Sequence, residues 1–238
     1  MSSITDRGLC WPVQDWRNVA ASGGACQTHC RSDQGKGSPM GLHASSMPSI
    51  SNALAGGTDF FFAVLPDERA KAAIVHAGER FRELLRLSGS PLETDLLHLV
   101  LSPPGRPQKL RQSLESTLVA AAGDVRAQSF ELVLDSVMRL SARDGQHPLV
   151  LCADDASAAS ALKLRKAIAD AQQRFGLIVP AVSLYLPHVV LLHGRSIDAI
   201  HQSIPPISWI VREFVLIRCF FGQSRYEVAG RWALDKPC

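Results

Sequence analysis

One short pattern occurs twice in this chain, and it constrains the fold more than composition does. Asp95-Leu96-Leu97-His98-Leu99-Val100-Leu101 returns as Tyr185-Leu186-Pro187-His188-Val189-Val190-Leu191, with 90 positions between the histidines. Each copy sets one histidine in an apolar, β-branched run, the composition of a buried strand. Alternation along a strand sends His98 and Val100 to one face and Leu97, Leu99 and Leu101 to the other. His188 with Val190, against Val189 with Leu191, repeats the arrangement. Two such strands placed side by side would turn both imidazoles into one cleft.

The segments around the two histidine strands also correspond. Phe60-Phe61-Phe62-Ala63-Val64-Leu65 reads as a buried strand ended by Pro66, with Asp67 placed to cap a helix. That helix carries an apolar stripe at Ala70, Ile74, Ala77, Phe81 and Leu84, broken by Ser88-Gly89-Ser90-Pro91 before the first histidine strand. After Pro103-Pro104-Gly105, a second helix presents Leu110, Leu114, Leu118 and Ala121 up to Gly123, and Phe130 to Leu134 reads as another strand. The second half opens the same way. Pro148 to Cys152 reads as a strand and Asp154-Asp155 as an acidic helix start; Ala161, Leu164, Ile168, Ala171 and Phe175 form a stripe closed by Gly176. Asp67 precedes His98 by about 31 positions and Asp155 precedes His188 by about 33, so one unit is duplicated. Two further strands are expected, around Val211 to Phe221 and Tyr226 to Leu234.

Residues 1 to 58 differ from all this. They are rich in Ser and Gly, contain Pro12, Pro39 and Pro48, and show neither helical nor strand period. They read as a disordered tail or an over-long start, with Met40 or Met47 as later starts; Trp11 and Trp16 are the one docking-like feature. The folded part is expected over 59–238, as lobes of roughly 59–147 and 148–238.

Charge and cysteines narrow the function classes. A net charge of +3 permits an anionic ligand, but the chain lacks the Lys and Arg runs of a nucleic-acid coat. No apolar run approaches the roughly 18 residues that span a bilayer, and Asp6 and Arg7 stand where a signal peptide is apolar, so a cytoplasmic protein is expected. Cys152 and Cys219 read as small core residues, while Cys10, Cys26, Cys30 and Cys238 lie in terminal segments. Cys26 and Cys30, with His29 between, have loose spacing and no second ligand pair, so no metal site is expected. His43, His76, His147 and His201 lack the strand context of His98 and His188 and read as surface or tail residues.

The duplicated histidine strands resemble the two-histidine phosphoesterase superfamily, in its 2′-5′ RNA ligase and cyclic phosphodiesterase (LigT-like) branch. The resemblance covers roughly residues 59 to 235. Phe61-Phe62-Ala63-Val64-Leu65-Pro66-Asp67 is similar to the opening strand of bacterial members, and Pro187-His188-Val189-Val190-Leu191-Leu192 to the context of the second motif. Trp209 to Leu216, with Gly230-Arg231-Trp232, resembles the closing strands of a proteobacterial subgroup. The resemblance implies a duplicated, bilobal α+β fold of mainly antiparallel sheets with a central cleft.

It implies an RNA-end 2′,3′-cyclic phosphodiesterase with 2′-5′ RNA ligase activity as a further expectation. In that reading His98 is the acid and His188 the base for hydrolysis, exchanging roles in ligation. Imidazole titrates close to neutral pH and suits both jobs. The chemistry calls for no metal and no cofactor. The expected partner is RNA or a nucleotide with a 2′,3′-cyclic phosphate or a 2′-5′ linkage; no membrane is implied, and the chain is expected to be a monomer. Tyr185, Arg225 and Tyr226 are candidates to stack on a base, and His193 and Arg195 to contact the phosphate.

The sequence also departs from the family. The family motif is His-x-Thr or His-x-Ser in both lobes, whereas Val100 and Val190 stand at the hydroxyl positions here. Valine keeps the β-branched shape and loses the donor. An alternative therefore stands beside the enzyme: a catalytically degenerate module that binds a nucleotide or RNA end without turning it over.

Overall fold

A computed structural model of the chain describes residues 58–87, 91–102, 106–107, 113–140, 146–179, 185–195, 197–220 and 225–236. The expected tail lies outside them up to residue 57, and with it Trp11, Trp16, Cys10, Cys26, His29 and Cys30; Cys238 also lies outside. Among the described residues no helix is long and apolar enough to cross a membrane.

The elements form where their local chemistry predicts. Strand β1 (Thr58–Val64) runs into Pro66, and helix α1 (Glu68–Leu84) starts at Asp67, whose carboxylate accepts from the Ala70 amide at 2.8 Å. A 3₁₀ turn (Thr94–Leu96) leads into β2 (Leu99–Ser102), followed by the short β3 (Arg106–Pro107). Ser113 caps α2 (Leu114–Gly123), and β4 (Phe130–Arg139) and β5 (Gln146–Ala153) follow. Helix α3 (Asp155–Arg174) is capped by Asp154, which accepts from the Ser157 amide at 2.7 Å, and ends at Gly176, where φ is +79°. Glycine tolerates that left-handed conformation without a Cβ clash. The short β6 (Leu177–Ile178), β7 (His188–Arg195), β8 (His201–Val211), β9 (Glu213–Phe220) and β10 (Arg225–Ala233) complete the chain.

Eight strands make one antiparallel sheet in the order β10-β9-β1-β2-β7-β5-β4-β8, beside a two-stranded β3-β6 ribbon. The architecture is α+β and antiparallel, as the family resemblance implies. The two half-sheets do not follow the two halves of the chain. β4, from the first half of the sequence, pairs with β5 and β8, and β9 and β10, from its end, build onto β1. Each half-sheet thus owes strands to the other half of the chain, and a long-range register, absent from local pattern, decides it.

One face of the sheet holds the main core. Phe60, Phe62, Val64, Leu99, Leu101, Leu149, Leu151, Val189 and Leu191 meet Ile74 and Phe81 of α1, Leu118 of α2, and Leu164 and Ile168 of α3 in one contiguous cluster. Each large apolar side chain buried there contributes about 1.5–3 kcal/mol. Helix α1 lies close to β7, with Gly78 facing Leu191 and Pro91, where a Cβ would come to 3.6 Å of Pro91.

Some expected stripe positions shift. Leu84 is 62% exposed, so α1 buries Gly78 rather than its last leucine, and Leu110 lies outside the described residues. Cys152 and Cys219 are both buried core residues, as expected; Cys152 is a free thiol, whereas Cys219 is disulfide-bonded. Strand β8 adds to the two closing strands expected from the sequence, and it contains Pro205 and Pro206, which lack amide hydrogens. It stands at the sheet's edge, where one side of a strand needs no ladder bonds and proline is accepted.

Candidate functional site

The two half-sheets meet where β2 pairs with β7 at Leu99 and Val189. Extending that antiparallel register by one residue each way sets His98 across from Val190 and Val100 across from His188. The four side chains therefore form a rectangle on the face away from the main core, with the histidines on its diagonal. Diagonal neighbours of this kind lie roughly 7–8 Å apart. The expectation of two imidazoles turned into one space matches this geometry, and each valine faces the histidine of the other motif.

Both rings are oriented by the same device. His98 Nδ1 is 2.7 Å from the Leu96 carbonyl and His188 Nδ1 is 2.8 Å from the Leu186 carbonyl, in each case two residues back. A carbonyl oxygen only accepts, so each Nδ1 carries the proton and each neutral ring offers the Nε2 lone pair. The 3₁₀ turn supplies the first carbonyl and the Leu186-Pro187 step the second. Burial pushes His98 down to about 4, opposed by the Leu96 carbonyl and reinforced by His188. Burial also holds His188 below its ordinary value, against the pull of the Leu186 carbonyl.

Small apolar clusters flank the pair on either side. Phe61, Ala63, Val215 and Ile217 pack with Val100 and Tyr226 beside His98; Leu140, Val150 and Cys152 pack with Met138, Leu186 and Val190 beside His188. The His98 ring lies 5.0 Å from the Phe61 ring and 5.4 Å, edge-on at 88°, from that of Tyr226. Phe61 was not singled out from the sequence. The signal was there in Phe60-Phe61-Phe62: with its neighbours buried toward the helices, period-2 alternation puts Phe61 on the histidine face.

The other expected residues divide. Tyr226 joins the site, against His98. Tyr185 does not stack into it: its ring packs against the main core, and its hydroxyl donates to the Val100 carbonyl at 2.9 Å. Arg225 alternates to the other face from Tyr226, lies over the Phe220 ring at 5.2 Å and pairs with Glu227. His193, opposite Pro148, is five residues along β7 from His188, roughly 16 Å at strand rise, and so away from the pair. Arg195 ends β7 opposite Gln146, and its side chain lies outside the described set.

Arg165, also unforeseen, explains Tyr185. This buried α3 guanidinium lies 4.7 Å above the Tyr185 ring and donates to the Leu101 carbonyl at 3.1 Å. Burial raises the Tyr185 phenol, against the pull of Arg165, and keeps it a donor. Arg165 and Tyr185 together tie the approach to the second histidine to the strand of the first. Tyr185→Phe leaves the Val100 carbonyl without that donor. The expected loss is about 1 kcal/mol, or roughly 2–4 °C in Tm by thermal denaturation; an unchanged Tm would mean that the bond contributes nothing.

Beside the pair, over the second half-sheet, lies an open groove of about 610 Å³ bounded by Leu186, Met138, His201 and the start of α3. Among the described residues no cluster of His, Cys, Asp and Glu is arranged to hold a metal ion.

No protein-family model and no curated protein matches the sequence, whereas solved structures match the fold. LigT of E. coli in its apo form superposes with a TM-score of 0.55 at 27% identity, over 75% of this chain and 98% of that one. The same protein complexed with 3′-AMP matches with a TM-score of 0.53 at 26% identity, over the same shares of the two chains. A Thermus thermophilus protein, TT0787, at 19% identity and a TM-score of 0.55 over 75% and 98%, shares the fold.

Proposed function

We propose, from the structural match of this chain to the LigT 2′-5′ RNA ligase and two-histidine phosphoesterase family, that it is a phosphodiesterase opening 2′,3′-cyclic phosphates at RNA or nucleotide ends. The observation that carries the reading is the matched pair of rings, each with Nδ1–H held by the carbonyl two residues back and Nε2 left for chemistry. LigT has been solved with 3′-AMP, ATP, phosphate and NADP+, which supports a nucleotide as the ligand here.

The reaction needs two proton transfers. One imidazole takes a proton from the attacking water, and the other, as imidazolium, gives one to the departing ribose oxygen. In our reading His98 is the acid and His188 the base for hydrolysis, and the roles exchange when a 2′-5′ linkage is made. The diagonal placement supports action from two sides of one phosphorus.

The pH dependence follows from the depressed basicity of the pair. At low pH both rings are charged and the base is lost; at high pH both are neutral and the acid is lost. With His98 pushed down to about 4 and burial holding His188 below its ordinary value, kcat/KM is expected to be bell-shaped with its maximum on the acid side of 6.5. An anionic substrate favours the imidazolium, so the kcat profile should lie at higher pH than that of kcat/KM. Hydrolysis of adenosine 2′,3′-cyclic phosphate by the purified chain across pH tests both statements; a flat profile, or no turnover at any pH, would count against the enzyme.

A second reading rests on Val100 and Val190. Both face the pair and neither can donate to a phosphate, which supports a binding module that keeps the histidines for recognition. Binding of the cyclic nucleotide without turnover would select this reading.

A further inference from the structure

Resting on the phosphodiesterase reading, we propose that the groove beside His188 is a subsite for an uncharged, hydrogen-bond-donating nucleoside, and that it rejects a further phosphate.

The groove is an extension of the site along the strand pairings. Across the second half-sheet His188 is in register with Cys152, Cys152 with Ser136, and Ser136 with Ser203, so these four side chains form one row on one face. The last three line the groove, and Leu186, whose carbonyl holds His188, lines it too. At roughly 4.8 Å per strand, the row carries the floor about 14 Å from His188 to the sheet edge.

Its chemistry is set by an irregularity in β4. Leu134 is in register with Ala153 and Ser136 with Cys152, which leaves Asp135 as an inserted residue in the ladder. A bulge of this kind re-aims a side chain, and Asp135 lines the groove with Asp154 and Asp155 of the α3 start. Among the described residues no lysine or arginine lines it, although the chain as a whole carries +3. Burial and the neighbouring Asp135 push the Cys152 thiol up to about 12, so the floor is neutral.

Carboxylates and serine hydroxyls accept from sugar hydroxyls and base amino groups, and the same carboxylates repel a phosphate. The preferred substrate is therefore a cyclic nucleotide with a free 5′-hydroxyl, and a chain whose next phosphate falls in the groove is disfavoured.

The test compares adenosine 2′,3′-cyclic phosphate with the same compound carrying a 5′-phosphate, using the full chain and its Asp135→Asn, Asp155→Asn double variant. The expected result is a preference of roughly tenfold in kcat/KM for the free 5′-hydroxyl at low salt, falling to about threefold or less in the double variant. Equal rates on both compounds, or a preference that the double variant keeps, would overturn the proposal. Absence of turnover on either compound is the failure of the phosphodiesterase reading instead. Calorimetry with 3′-AMP and adenosine 3′,5′-bisphosphate then decides the subsite separately. A preference for 3′-AMP that the double variant loses supports it, and equal binding, or binding of neither, overturns it.

Discussion

His98→Ala is expected to lower kcat on a 2′,3′-cyclic nucleotide by about 10²–10⁴-fold, the usual contribution of one general acid or base. The same loss is expected for His188→Ala, and the double variant should fall little further, since either ring alone leaves one proton transfer unassisted. Burial makes the control important. The His98 ring sits between Phe61 and Tyr226, and its removal opens space beside both. His98→Gln keeps volume there while losing the titrating group. If the glutamine variant retains turnover, the ring is a packing residue and acid–base catalysis by the pair is wrong. If both variants lose turnover with an unchanged Tm, the loss belongs to the chemistry.

Restoring the missing hydroxyls should have an effect of similar size in the opposite direction. Val100 is opposite His188 and Val190 opposite His98 in the extended register, so a threonine at either position puts a hydroxyl beside the other motif's ring. A hydrogen bond to a charged group contributes about 1.5–3 kcal/mol. Two such bonds, made to a cyclic phosphate, would raise kcat/KM by roughly two to four orders of magnitude at about 1.4 kcal/mol per tenfold. The substitution conserves shape but introduces a polar atom into a partly apolar setting, so a small loss of Tm is expected in ligand-free protein and its recovery on adding nucleotide. Steady-state kinetics of Val100→Thr, Val190→Thr and the pair would show whether the effects add. An unchanged kcat/KM together with unchanged nucleotide affinity would remove these positions from the phosphate site.

Present as they are, the valines assign more of the work of holding an anion to the histidines themselves. Burial disfavours the imidazolium at both rings in the free protein. The substrate's own charge then helps to bring the proton in. Low pH and an anionic ligand therefore act in the same direction, and nucleotide affinity should rise as pH falls toward the lower end of the activity window.

Much of the site was legible in the sequence because it rests on local rules. Alternation along a strand put His98 with Val100 and His188 with Val190 on one face and their neighbours Leu97, Leu99, Leu101, Val189 and Leu191 on the other, and burial follows that division. Helix starts at Asp67 and near Asp154-Asp155 followed from side-chain capping, also a local interaction. The repeat of strand, helix and histidine strand disclosed the duplication.

Other features depended on pairings between distant residues. The register of Leu99 with Val189 sets each histidine against the other motif's valine, and a slip of one residue would have broken the rectangle. The bulge at Asp135 and the edge position of β8 exist only once β4 has neighbours on both sides. Tyr185, read from sequence as a stacking residue, turns to the core because Arg165 on α3 and the Val100 carbonyl on β2 are there to receive it. Sequence by itself determined which faces the chemical groups take, since periodicity is a property of one segment. Only the tertiary structure decided which groups meet across the seam, since cross-strand register is settled by the packing of two segments far apart in the chain.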